Sequence, residues 1–108
     1  MDLAELQSNA ERASRLLKAM SNERRLLILC SLAEGERSVG ELERIVDLSQ
    51  SALSQHLARL RNDGLVGTRR SAQSIYYSLK GEEARTIILT LHALFCAPSC
   101  ETAPAAAD

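Results

Sequence analysis

The sequence contains no tryptophan, and aromatic residues make up only 3% of its 108 residues. Its core must therefore be built mostly from Leu, Ile, Val and Ala, which suits helices packed into one domain. No apolar run approaches the ~18 residues that a transmembrane helix needs, and the amino terminus lacks the continuous apolar stretch of a signal peptide. These absences argue against a membrane protein and predict a protein that stays in the cytoplasm.

The segment from Asp47 to Leu65 predicts a short turn followed by a helix with two different faces. Ser49 is a good N-cap, and leucines recur at positions 53, 57 and 60, so that one face packs against a core. The opposite face carries small or forked hydrogen-bonding groups and one basic residue, namely Gln50, Ser51, Ser54, Gln55, Ala58 and Arg59. Groups of this kind suit base edges and phosphates. The alternative is an ordinary amphipathic surface helix, but such helices usually carry Glu and Lys, and this face has no acidic residue before Asp63.

A second helix precedes this one. Ser38 and Glu41 have the spacing of a capping box, which opens a helix that runs to about Val46. Two capped helices separated by a turn at Asp47-Leu48 predict a helix-turn-helix, a motif that places its second helix in the major groove of DNA.

A β-hairpin is predicted after Gly64. Residues 65–68 and 74–79 are rich in Val, Ile, Thr and Tyr, and the polar segment 69–73 separates them. Such a hairpin is called a wing when it accompanies a helix-turn-helix. Arg69 and Arg70 are expected near its tip, within reach of DNA phosphates. The alternative is that they belong to a solvated turn with no such role. The predicted DNA-binding residues are therefore Ser49, Gln50, Ser51, Ser54, Gln55, Arg59, Arg69 and Arg70.

The remaining helices complete a mainly α fold with the order α-α-α-α-β-β-α. A very apolar helix containing residues 26–32 is expected at the centre of the core, capped by Ser21 or Asn22. The first helix and the last helix both have apolar residues around more of their circumference than the narrow stripe of an ordinary surface helix. The last helix is expected over residues 84–95. One domain of this size cannot bury both, so we expect them to form the interface of a homodimer. Residues 1–100 are predicted to form the domain, and residues 101–108 a disordered tail.

The net charge of −1 does not argue against DNA binding, because the charge is unevenly distributed. Residues 55–80 contain five basic side chains and one acidic side chain, which gives a local charge of +4. Residues 81–108 have one basic and four acidic side chains, a local charge of −3. The positive charge therefore coincides with the predicted DNA-binding helix and wing.

Four segments together resemble the ArsR-type winged-helix repressors over roughly residues 10–97: LLKAMSNERRLLILC, SVGEL, LSQSALSQHLARLRNDGLV and IYYSL. The resemblance implies a cytoplasmic homodimer that binds double-stranded operator DNA, an inverted repeat, and changes its affinity when an inducer is sensed. Metal-sensing members of this family carry thiols or imidazoles in the segment matching SVGEL, or paired His and carboxylate ligands on the last helix. Neither set is present here, where the last helix offers only His92, so no metal site and no cofactor are predicted.

The runs RRLLILC and LHALFC resemble the persulfide- and redox-sensing branch of that family, which implies that Cys30 and Cys96 form a sensing pair. A thiolate attacks sulfane sulfur or an oxidant, and a second thiol resolves the product into a disulfide or polysulfide. The inducer is then a reactive sulfur species or an oxidant. On spacing alone, Cys30 is better interpreted as one more small buried hydrophobic residue, and it is the resemblance that favours a sensor instead.

Cys100 departs from a simple two-cysteine pattern and keeps two alternatives open. One is an arsenite or soft-metal sensor that uses Cys30, Cys96 and Cys100 as three thiolate ligands. A remote one is a small thiol oxidoreductase that uses Cys96, His92 and Cys100. It lacks support because the sequence has neither a Cys-x-x-Cys motif nor a βαβ pattern, so we predict that the protein is not an enzyme.

Overall fold

The computed structural model describes residues 2–95. The elements are, in chain order, α1 (Leu3–Met20), α2 (Glu23–Ala33), β1 (Arg37–Ser38), α3 (Val39–Val46), α4 (Gln50–Asn62), β2 (Val66–Ser71), β3 (Ser74–Leu79) and α5 (Glu82–Phe95). The predicted fold class is confirmed, with one strand, β1, that the sequence did not reveal. Cys96, Cys100 and the predicted tail at residues 101–108 lie outside the described residues.

The three strands form one antiparallel sheet in the order β1-β3-β2. Arg37 and Ser38 of β1 lie opposite Tyr77 and Tyr76 of β3. The prediction that residues 69–73 form the loop of the hairpin is wrong, because β2 continues through Ser71, which lies opposite Ser74. The outer part of β2, residues 69–71, is exposed and needs no apolar side chains, so its polar sequence did not indicate a strand.

Helix α2 is the centre of the core, as predicted. It contacts all four other helices and strand β3. Its side chains Ile28, Leu29 and Leu32 are buried, together with Leu42 and Val46 from α3. The four other helices and β3 are therefore positioned by their packing on α2.

Two consecutive arginines in the first turn of α2 bind the ends of two other helices. Asn22 caps α2 by accepting hydrogen bonds from the backbone N–H groups of Arg24 and Arg25. The Arg24 Nη1 donates to the Val46 carbonyl at the end of α3, at 3.0 Å. The Arg25 Nε donates to the Ala19 carbonyl near the end of α1. Both hydrogen bonds satisfy carbonyl groups that helix ends leave without an intrahelical partner.

Helices α1 and α5 leave most of their apolar side chains exposed. In α1 only Ala19 and Met20 are buried, while Leu6 and Leu17 are 48% and 54% exposed. In α5, Leu89, Leu94 and Phe95 are exposed. Residues 2–95 therefore leave much of the apolar surface of these two helices uncovered, and the homodimer interface expected there stays a prediction. Within the described residues, no helix is long and apolar enough to cross a membrane.

Candidate nucleic-acid interface

The outer face of α4 presents the side chains that the sequence predicted. Ser49 caps the helix, with its Oγ accepting from the Ala52 N–H at 3.2 Å. Leu53, Leu57 and Leu60 are buried beneath it. The opposite face is exposed and carries Gln50, Ser51, Ser54, Gln55, Ala58 and Arg59. This is a regular helix that offers amide and hydroxyl groups to solvent, which is the geometry needed for insertion into a major groove.

Basic charge on α4 begins only near its carboxyl end. The Arg59 Nε lies 3.3 Å from the Asp63 carboxylate, one helical turn away. His56 is half-buried on the same helix, where burial and the nearby charges of Arg25 and Arg24 lower its pKa. The first two turns of the exposed face are therefore neutral, which favours hydrogen bonding to bases over attraction to phosphates.

The turn between α3 and α4 is held in a specific backbone conformation. Asp47 ends α3 in the left-handed region, at φ 53° and ψ 56°, a conformation that Asp and Asn tolerate better than most residues. At the other end of α3, Ser38 Oγ accepts from the Glu41 N–H while the Glu41 carboxylate accepts from the Ser38 N–H. The hydrogen bond from the Ser38 backbone N–H is the main cause that lowers the pKa of the Glu41 carboxylate. The predicted capping box and the helix-turn-helix are confirmed.

The wing places its two arginines differently from one another. Both lie within strand β2 and not in a loop. The Arg69 guanidinium donates two hydrogen bonds to the Glu36 carboxylate, at 2.9 and 2.8 Å, and lies 4.8 Å from the centre of the Tyr76 ring. These hydrogen bonds raise the pKa of Arg69 and lower the pKa of Glu36. Arg70 is exposed and makes no ion pair with any residue in the range 2–95.

Three residues that the sequence analysis missed shape this interface: Arg24, Glu36 and Tyr76. Arg24 donates to the end of α3, and Glu36 and Tyr76 hold Arg69. Glu36 and Arg69 are 33 positions apart in the chain. No local pattern could have paired them, because their proximity depends on how the sheet is assembled.

Cys30 lies on α2, half-buried, on the side that faces α5. It lines a cavity of about 150 Å³ together with Ala33, Glu34, Ile88, Leu89 and His92. Cys96, the predicted second sensing residue, follows Phe95 directly in the sequence but lies outside the described residues, as does Cys100. Among residues 2–95, no three His, Cys, Asp or Glu side chains are grouped so that they could hold a metal ion.

The arrangement of α1, α2 and α5 around a helix-turn-helix and a β-hairpin defines a winged-helix DNA-binding protein. Residues 22–68 match the model of the bacterial regulatory proteins of the arsR family. The chain is 56% identical over 96 residues to the transcriptional activator HlyU of Vibrio cholerae, covering 89% of each chain. It is 45% identical over 96 residues to the biofilm growth-associated repressor of Agrobacterium fabrum, covering 89% of this chain and 82% of that one.

The structural comparison agrees. The solved structure of reduced HlyU from Vibrio cholerae superposes with a TM-score of 0.85 at 56% identity, covering 87% of this chain and 99% of that chain. The chain therefore belongs to the arsR family of winged-helix transcriptional regulators. Its relatives are regulators and not enzymes, which confirms that part of the sequence analysis.

Proposed function

We propose that this regulator is a cytoplasmic repressor that binds an inverted-repeat operator as a homodimer, and that oxidation or persulfidation of Cys30 and Cys96 controls its affinity. The observation that carries the DNA-binding part is the exposed face of α4, with its hydroxyl and amide groups over a buried leucine face. In the proposed complex Ser49, Gln50, Ser51, Ser54, Gln55 and Arg59 meet the major groove, and Arg69 and Arg70 belong to the wing that lies beside it.

The exposed apolar side chains of α1 and α5 support the homodimer. Leu3, Leu6 and Leu17 recur along one side of α1 at helical spacing, and all three are largely exposed in a single chain. Exposed apolar surface of this extent in a small domain marks an interaction site. A two-fold interface formed by these helices would present two copies of α4 to half-sites about 34–36 Å apart, which is why an inverted repeat is expected.

The position of Cys30 supports thiol control. It lies on α2, the helix that contacts α1, α3, α4 and α5, and it faces the last helix of the domain. A covalent link between this position and Cys96 would join the core helix to the proposed dimer helix. Because neither α2 nor α5 belongs to the helix-turn-helix, such a link would act on the spacing of the two α4 helices and not on the residues that read DNA.

The proposed chemistry is an ordinary thiol exchange. A Cys thiolate attacks the outer sulfur of a persulfide donor, its S–S bond breaks, the donor leaves as a thiolate, and the cysteine becomes a persulfide. The second Cys thiolate then attacks the inner sulfur of that persulfide, which forms a disulfide and expels hydrosulfide. If one further sulfur is transferred, the second thiolate attacks the middle sulfur of the chain instead; the outer S–S bond breaks, hydrosulfide leaves, and a trisulfide bridge remains.

Cysteine variants test this proposal directly. The reduced wild-type dimer should bind its operator tightly, and a sulfane-sulfur donor should release the DNA while adding a sulfur link between Cys30 and Cys96. Cys30→Ser and Cys96→Ser should keep the affinity of the reduced protein but lose the response, while Cys100→Ser should keep both. Peptide mapping by mass spectrometry, alongside DNA-binding curves for each variant, measures these outcomes.

Metal exposure separates the alternatives. Zinc at micromolar concentration should leave the operator bound, because the described part of the chain offers no cluster of metal ligands. If arsenite releases the DNA from the wild type but not from Cys100→Ser, a sensor with three thiolate ligands would replace the dithiol proposal. A Cys30→Ser protein that responds like the wild type would end the dithiol proposal and leave the DNA-binding assignment intact.

A further inference from the structure

The two wing arginines, which are neighbours in the sequence, lie on opposite faces of the sheet. Successive residues of a strand point to opposite sides. Arg69 lies opposite Tyr76 in the register, and Arg70 lies opposite Ile75. One arginine therefore shares a face with a tyrosine, and the other with an exposed isoleucine.

Arg69 spans the width of the sheet. Its strand, β2, is at one edge, Tyr76 is on the middle strand β3, and Glu36 directly precedes β1 at the other edge. The guanidinium lies over the Tyr76 ring and reaches the Glu36 carboxylate with two hydrogen bonds. This geometry uses both the planar stacking surface and the forked donors of an arginine, and a lysine could not reproduce it.

This interaction also connects the wing to the start of the helix-turn-helix. Ser38, two residues after Glu36, is the N-cap of α3. Ser38 lies opposite Tyr76 in the sheet, so Glu36, Ser38, Tyr76 and Arg69 share one face. The contacts on this face therefore fix the angle of the wing relative to β1 and to the N-cap of α3.

Arg70 belongs to the other face, which is the face that packs on the core. Val66, four positions earlier on the same face, is buried, and β2 contacts α4. Arg70 and Ile75 lie on the same face nearer the tip of the wing, where the core no longer covers it, and both are exposed. Arg70 therefore projects on the side of the sheet where α4 lies, and no carboxylate within residues 2–95 pairs with it.

We propose that Arg69 is a positioning residue, which sets the angle of the wing through Glu36 and Tyr76, and that Arg70 is the wing residue that binds a DNA phosphate. This inference rests on the proposed DNA-binding mode. It assigns Glu36 and Tyr76 to the DNA-binding machinery although neither touches DNA. The inference also predicts that Arg69 affects DNA affinity only by setting the angle of the wing, and not by contacting DNA.

The experiment uses the full chain and a duplex selected by the wild-type protein from a pool of random-sequence DNA. Arg70→Ala should weaken binding to all sequences alike and reduce the log–log salt slope by about 0.9 for each phosphate that is no longer neutralised. Arg69→Ala should also weaken binding, by about two- to tenfold. The double variant Arg69→Ala/Arg70→Ala should bind no more weakly than Arg70→Ala alone. Arg69→Lys should behave like Arg69→Ala, because it keeps the charge and loses the paired geometry.

The charge swap is the decisive variant. Glu36→Arg combined with Arg69→Glu keeps the two-hydrogen-bond ion pair with its ends exchanged but loses the stacking on Tyr76, so it should recover a large part, but not all, of the affinity that Arg69→Ala loses. The pair is exposed, so its removal should leave the fold intact, and thermal unfolding of each variant checks this.

Three results together would show that both arginines bind phosphates. Arg69→Ala and Arg70→Ala would decrease affinity independently, Arg69→Lys would retain binding, and the charge swap would recover no affinity. The inference would then be wrong while the proposed function stands. A wild-type protein that binds the selected duplex no better than random DNA would instead remove the proposed operator recognition.

Discussion

Gln55 is exposed near the middle of α4, in the neutral part of the face that we propose to enter the major groove. A glutamine amide can donate to and accept from the edge of an adenine at the same time. We expect Gln55→Ala to relax the preference at one operator position and to cost about 1–3 kcal/mol of binding free energy on the preferred sequence. Binding curves on the operator and on single-base variants of it measure the effect.

The control for Gln55 is a glutamine elsewhere on the surface. Gln7 is exposed on α1, so Gln7→Ala makes the same chemical change away from α4 and should leave base preference unaltered. If Gln55→Ala weakens binding equally on operator and random DNA, Gln55 reads no base.

Individual side chains differ in how far a sequence can predict them. The exposed and buried sides of α4 follow from the spacing of Leu53, Leu57 and Leu60, because helical period decides which positions share a face. The partners of Arg69 do not follow from any spacing. Its carboxylate comes from a segment 33 positions away, and the tyrosine beneath it is supplied by the neighbouring strand.

At the scale of the elements, the capping box of α3 gives a pH dependence. The Ser38 backbone N–H donates to the Glu41 carboxylate and lowers the pKa of Glu41 in the folded protein. A lowered folded-state pKa contributes stability that is fully present above the ordinary glutamate pKa and is lost as the pH falls through the lowered value. Glu41→Gln should therefore reduce stability at neutral pH, and its deficit relative to wild type should disappear in acid.

Urea unfolding midpoints at a series of pH values measure this difference. Glu43→Gln, on the same helix but outside the capping box, is the matched control and should show no such convergence. A Glu41→Gln deficit that persists unchanged into acid would mean that the carboxylate charge contributes nothing to the cap.

Element boundaries were predictable where they depend on neighbours in the chain. The cap residues Ser38, Asn22 and Ser49 predict the starts of α3, α2 and α4, because each acts on N–H groups two or three positions ahead. The two-residue strand β1 and the full length of β2 exist only because β3 pairs with them. Their residues carry no alternation that would distinguish them from loops.

At the scale of the whole molecule, the exposed stripe of α1 predicts that assembly and DNA binding are coupled. Leu6 is 48% exposed in a single chain, so replacing it should not disturb the fold. If α1 lies in a two-fold interface, Leu6→Glu places two charges there and should raise the dimer dissociation constant by at least about a hundredfold. Operator affinity should fall with it, because one half-site alone binds weakly.

Sedimentation and DNA binding of Leu6→Glu test this coupling. The matched control is Ser8→Glu, which adds the same charge to an exposed position on another side of α1. A Leu6→Glu protein that sediments and binds DNA like the control would place the subunit interface elsewhere.

The paired arginines at the start of α2 have a mechanical consequence. Arg25 is bonded to the end of α1 and Arg24 to the end of α3, so the first turn of α2 joins the helix that carries the exposed leucines to the helix-turn-helix. Those hydrogen bonds oppose a change in the angle between α1 and α3. If the chain forms the proposed homodimer, a change at α2 would be passed to α1 and α3 together, and the distance between the two copies of α4 would follow the angle at which the two subunits meet.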